Sequence, residues 1–102
     1  MKRVLIAVGL ASMVVSGSAV ADLALAKKSG CMACHGVDKK VVGPSWKQVA
    51  ERYKDDPDAQ AKLAVKIKKG GKGVWGSAPM PPYSPRVSDA DIEKLVDFIM
   101  TL

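Results

Sequence analysis

The sequence predicts an all-α fold of short helices joined by long irregular connections, and three observations carry that prediction. No stretch alternates apolar and polar residues with the period of two that a half-buried strand needs. Ile92, Leu95, Val96, Ile99 and Leu102 recur at three- and four-residue intervals, the pattern of one buried helix face, with Phe98 beside it. Glycine and proline gather between Gly70 and Val87, a segment too long and irregular for a turn and of the kind that carries function.

The chain opens with a segment that is not part of that fold. Lys2 and Arg3 precede an apolar run, Val4 to Val15, interrupted only by Gly9 and Ser12, and Ala19-Val20-Ala21 has the small-x-small pattern of a signal-peptidase site. Residues 1–21 therefore read as a cleaved secretory signal peptide and 22–102 as one domain. The alternative, an uncleaved membrane anchor, is disfavoured because the run is shorter than the roughly 20 residues of a spanning helix. Ser16, Gly17 and Ser18 also loosen its end.

A first helix is predicted over about 23–29, ended by Gly30 as a left-handed cap. After the Gly43-Pro44 turn, Ser45 caps a second helix with Trp46, Val49, Ala50 and Tyr53 at helical spacing. Asp56 as cap and Pro57 at the first helical position start a third, which carries Leu63, Ala64 and Ile67 to Lys69 and stops at Gly70-Gly71. The last begins at Ser88, with acids in its first turn and a Val87–Ile92 hydrophobic staple.

A domain this short has little apolar core of its own and needs a supplement such as a disulfide, metal or cofactor. The formal net charge of the full chain is +6, from which the leader removes Lys2 and Arg3. Clusters at Lys27/Lys28, Lys39/Lys40 and Lys66/Lys68/Lys69/Lys72 would steer an acidic partner or keep an exported domain soluble. Nucleic-acid binding is excluded as a reading by export and by the acids interleaved among these lysines.

The supplement is indicated by Cys31-Met32-Ala33-Cys34-His35. Cys-x-x-Cys-His is the pattern of covalent haem attachment: two thiols add to the haem vinyl groups and the adjacent imidazole reaches the iron. Structural zinc would need four ligands, and the chain has two cysteines and one histidine. A thioredoxin-like dithiol would need a strand-to-helix junction in an α/β fold, and no strands are predicted. Export with such a motif points to the bacterial periplasm.

As an iron ligand, His35 would use its far nitrogen and donate its near N–H to a backbone carbonyl, for which Pro44 is placed. The sixth position decides between chemistry on small molecules and outer-sphere electron transfer. Met1 and Met13 leave with the leader, Met32 lies between the two cysteines, and Met100 belongs to the last helix. Met80 stands between Pro79 and Pro81-Pro82, where restricted backbone freedom would present its thioether to iron.

Over 22–102 the chain resembles the short class I monohaem cytochromes c of proteobacterial periplasm, a family that includes electron donors to nitrite reductase. The matching segments are Gly30 to His35, Val42-Gly43-Pro44, Ile67-Lys68-Lys69-Gly70, Gly73-Val74-Trp75-Gly76, Pro79-Met80-Pro81-Pro82 and Val87-Ser88-Asp89. The resemblance implies a cytochrome c fold of four to five helices around one covalent haem, His35 and Met80 as axial ligands, and Pro44 supporting His35. It also implies that the Trp75 indole N–H bonds a haem propionate, with Lys66 where the family often has a propionate-binding Arg. Lys66 lacks the rigid fork of Arg. The family often has Asn after Pro-Met-Pro-Pro; here Tyr83 is next in the chain, and the stretch to Val87 is longer.

These readings lead to a monomeric periplasmic carrier of one electron, not an enzyme, serving a respiratory donor and a nitrite reductase or terminal oxidase. A haem enzyme or gas sensor would need an open sixth position, and an electron-transfer module tethered to a membrane complex would need the leader retained.

Overall fold

The computed structural model describes Gly9 and residues 18–102. Lys2, Arg3 and the greater part of the apolar run of the leader lie outside them. Four α-helices, α1 (Ser18–Lys28), α2 (Trp46–Tyr53), α3 (Ala59–Lys69) and α4 (Asp89–Met100), are joined by the irregular segments predicted, with one 3₁₀ turn at Cys31–Ala33. No strand forms among the described residues, only two isolated bridges, His35 with Lys40 and Gly71 with Met80.

The organising element is α4, which packs against α1, α2 and α3. Its stripe explains why: Ile92, Leu95 and Val96 are at most 1 % exposed, and Phe98 and Ile99 are buried beside them. Ser88 caps the helix by accepting the Asp91 N–H at 3.2 Å, with Asp89 and Asp91 at the positive end of the helix dipole. Both members of the predicted staple, Val87 and Ile92, are buried in the core cluster. Leu102 is a correction, since α4 ends at Met100 and Leu102 is 36 % exposed. Leu102 lies past the last helical turn, so the α4 stripe no longer directs its side chain inward.

The other boundaries reflect local chemistry. Gly30 takes the left-handed conformation expected of a helix stop, with φ 83°. α1 starts earlier than predicted, at Ser18, so its first turn crosses the Ala21–Asp22 bond. Ser45 forms a full capping box with Gln48, each side chain accepting the other's backbone N–H. α3 starts at Ala59 rather than Pro57, yet the predicted Asp56 cap is in place: its carboxylate accepts the Asp58 N–H at 2.8 Å, and Pro57 and Asp58 form a turn ahead of the helix. Gly70, with φ 69°, ends α3 as expected.

Candidate functional site

The seven residues singled out in the sequence, Cys31, Cys34, His35, Pro44, Lys66, Trp75 and Met80, all line one cleft. Its floor is apolar, with Trp46 and Val49 from α2, Leu63 and Ile67 from α3, and Leu95 and Ile99 from α4. The empty space, open mouth included, is about 1140 Å³.

The 3₁₀ turn carries Cys31 and leads into Cys34 and His35. The N–H groups of Cys34 and His35 donate to the Cys31 carbonyl at 3.2 and 3.0 Å, which turns the segment tightly. Cys31 is buried, Cys34 is partly exposed, and neither is in a disulfide. Burial pushes the Cys31 thiol up from its ordinary value, against smaller opposing effects of a backbone hydrogen bond and of Arg86. A catalytic dithiol needs the reverse, a site that lowers a thiol pKa. With no strand among the described residues, that alternative also lacks the strand-to-helix junction it requires.

His35 is constrained from several sides. Its Nδ1 lies 2.8 Å from the Pro44 carbonyl oxygen, so the ring N–H donates there and Nε2 is left for a metal. The Trp46 ring stacks against the imidazole, with centroids 5.9 Å apart and planes 25° from parallel. Trp46 is itself held edge-on by Phe98 of α4. Gly43 lets the backbone approach the imidazole so closely that a Cβ there would come within 2.7 Å of Cε1. Gly43 and Trp46 were visible in the sequence only as a turn residue and a helix-face residue, with nothing to tie them to His35.

Met80 enters from the long loop. Gly71 and Met80 exchange both backbone hydrogen bonds, at 3.0 and 2.8 Å, which closes the base of the loop. The tip is held by Arg52 of α2, whose guanidinium sits 4.7 Å from the Trp75 ring centroid and donates to the Val74 carbonyl at 3.1 Å. Trp75 is 40 % exposed, so it is a wall of the cleft and not a core residue. Tyr83 also lines the cleft, 7 % exposed, beneath the Arg86 guanidinium at 4.9 Å. Burial, then the two cysteines, raises the Tyr83 phenol above its ordinary value, so it is neutral at any physiological pH. The contacts of Arg52 and Arg86 join residues far apart in sequence or through a bent loop, and no local pattern announces them.

The donor set gathered here, two thiols and an imidazole within five residues and a thioether lining the same largely apolar cleft, suits a flat apolar macrocycle with a central metal. A cytochrome c family model matches residues 20–102. The chain belongs to the cytochrome c family. It is 54 % identical to cytochrome c-552 of Nitrosomonas europaea over 91 residues, 89 % of this chain and 87 % of that one. It is 50 % identical to cytochrome c-551 of Allochromatium vinosum, over 89 % of this chain and 96 % of that one. The fold matches the crystal structure of wild-type Nitrosomonas europaea cytochrome c552 with a TM-score of 0.74 at 55 % identity, covering 78 % of this chain and 98 % of that one.

This cytochrome is therefore a haem c protein with a role in electron transfer, and the fold is the cytochrome c fold. Its cofactor is covalently bound haem c, and Cys31 and Cys34 stand where the attachment motif puts its thiols. No helix among the described residues is long and apolar enough to cross a membrane.

Proposed function

We propose that this cytochrome is a periplasmic one-electron carrier whose haem iron is ligated by His35 and Met80. The observation that carries the reading is their common placement: both line one apolar cleft, His35 with Nδ1 engaged by Pro44 and Met80 with its backbone bridged to Gly71. Haem c supplies a Fe(II)/Fe(III) couple when bound. The chain's residues hold and tune it. Cys31 and Cys34 tether it, Pro44 fixes the His35 tautomer and raises its basicity, and the soft thioether of Met80 favours the ferrous state. The apolar floor excludes water and disfavours the added ferric charge, so the potential is raised.

Lys66 and Trp75 line the cleft on the loop side, which supports their assignment to the haem propionates. Val42 and Trp75, at 52 % and 40 % exposure, lie at its mouth, and Lys72 lines it too. A small apolar rim with basic flanks suits a brief, salt-sensitive encounter with an acidic redox partner. The partners are a respiratory donor and a nitrite reductase or terminal oxidase; the carrier is a monomer, is not itself an enzyme, and comprises residues 22–102 once the leader 1–21 is removed after Ala21.

The test is Met80→Ala in the haem-loaded protein. The ferric form is expected to lose the weak far-red band of sulfur-to-iron ligation, its potential to fall, and the ferrous form to bind carbon monoxide rapidly. A variant that kept the band and the potential would remove Met80 from the iron. Rapid stoichiometric carbon monoxide binding by the unmodified protein would favour a sensor or enzyme instead.

A further inference from the structure

The end of α3 and the segment carrying Met80 are joined by a set of backbone hydrogen bonds. A helix leaves its last four carbonyls without partners inside the helix, and in α3 most of these accept hydrogen bonds from residues 70–84. Lys66 accepts from the Gly70 N–H at 2.7 Å, Ile67 from the Tyr83 N–H at 3.0 Å, and Lys68 from the Ser84 N–H at 3.3 Å. The chain on either side of Pro81-Pro82 is thus hydrogen-bonded to α3 and its cap: Met80 to Gly71, Tyr83 and Ser84 to the last turn.

Gly70 sits at the centre of this contact. A Cβ on it would fall well inside contact distance of the Met80 carbonyl oxygen, and 2.9 Å from both the Pro81 carbonyl carbon and the Pro82 nitrogen. These are main-chain atoms, so no rotamer change relieves the clash. Pro79, Pro81 and Pro82 have fixed φ, which leaves the segment little freedom to bow outward. Admitting a side chain forces the end of α3 and Met80-Pro81-Pro82 apart, which strains the bridge between Gly71 and Met80.

We propose that Gly70 is a positioning residue for the iron-ligating thioether: its bare Cα lets the end of α3 lie against Met80-Pro81-Pro82, and that contact sets how readily Met80 is displaced. The proposal rests on Met80 being an axial ligand. α3 is anchored through its packing on α4, so the contact ties the sixth ligand to the core and not merely to its own loop. Proline bracketing restricts the Met80 backbone but cannot say where it sits; the cap of α3 supplies that position.

The experiment compares haem-loaded Gly70→Ala with Gly76→Ala and Met80→Ala. Gly76 has φ 118°, and an added Cβ meets nothing within 4 Å, so it carries left-handed strain without the contact to Met80. Imidazole titrated into the ferric protein reports displacement of the ligand. Gly70→Ala is expected to bind imidazole at least roughly tenfold more tightly than the unmodified protein, the factor for losing one or two backbone hydrogen bonds, and to weaken the far-red band. Gly76→Ala is expected to lose stability while retaining the unmodified affinity and band. If Met80→Ala loses the band but Gly70→Ala keeps both band and affinity, the positioning role is wrong. If Met80→Ala keeps the band, the ligand assignment fails instead. Should Gly70→Ala not take up haem, amide exchange in the unmodified holoprotein decides: the Gly71 and Met80 amides are expected to be protected together with that of Tyr83, and unprotected exchange at both would overturn the proposal.

Discussion

Gly43→Ala offers a sign test of the packing around His35. Gly43 is not among the glycines with positive φ, so its backbone conformation is open to alanine. Without a clash, Gly→Ala at such a position would stabilise the fold by about 0.4–1 kcal/mol, because the unfolded chain loses freedom. The structure opposes that gain. The new Cβ would lie 2.7 Å from Cε1, 3.1 Å from Nδ1 and 3.3 Å from Nε2 of His35, short of ordinary van der Waals contact at all three atoms. The ring cannot yield freely, since Nδ1 is held 2.8 Å from the Pro44 oxygen and Trp46 stacks on the imidazole. Overpacking of this kind costs about 1–3 kcal/mol, which outweighs the entropic gain. The expected net effect is a loss of about 1–2 kcal/mol, or roughly 4–16 °C in Tm for a domain of this size. A tilted ring also weakens the donation to Pro44 and makes the imidazole less basic, which under the proposed ligation moves the reduction potential upward. Thermal unfolding followed at the haem band, with voltammetry on the same sample, measures both. A variant as stable as the unmodified protein, or more so, with an unchanged potential would refute the account of His35 as sterically confined by Gly43.

Contacts elsewhere in the molecule carry three further expectations. Leu95→Ala removes a side chain that is 1 % exposed, lines the cleft and belongs to the helix that organises the fold, so a loss of about 2–5 kcal/mol is expected in denaturant unfolding; a loss under about 1 kcal/mol would mean that the cleft wall collapses freely. Arg52→Ala cuts the tether from α2 to Val74 and Trp75, at a cost of about 1 kcal/mol. The Gly73 amide, which donates to the Gly76 carbonyl, should then exchange faster, and unchanged exchange would count against the tether. The hydrogen bond from Lys62, and after it that from the Asp58 N–H, holds the Asp56 carboxyl below the usual carboxylate range. Because the folded pKa is depressed, its contribution is present above the unfolded value of about 3.9 and is lost as pH falls through the folded value. Asp56→Asn should therefore lose a small amount of stability at neutral pH, small because Lys62 is exposed, and should converge with the unmodified protein as pH falls below about 4; a difference that did not shrink on acidification would exclude the pair from acid unfolding.

Much of the fold was legible because its signals are local. The stripe of α4, the Ser45 and Ser88 caps and the glycines at 30 and 70 each act within one or two turns of chain, and each was found where spacing placed it. Some boundaries were misplaced by a residue or two. Asp56 caps as expected, but the two residues after it form a turn, and α3 begins at Ala59. Leu102 has the right spacing but no further turn of α4 beneath it.

For the site, the sequence by itself determined the chemical inventory: two thiols and an imidazole at haem-attachment spacing, and one methionine bracketed by prolines. Those properties are covalent or local and need no neighbours. Only the tertiary structure decided how the groups are aimed. Gly43 and Trp46 confine His35, Arg52 reaches across to the loop tip, Tyr83 is buried under Arg86, and the end of α3 lies against the Met80 backbone. Each of these depends on the distance between atoms on different elements, which helix packing around α4 sets and no spacing along the chain encodes.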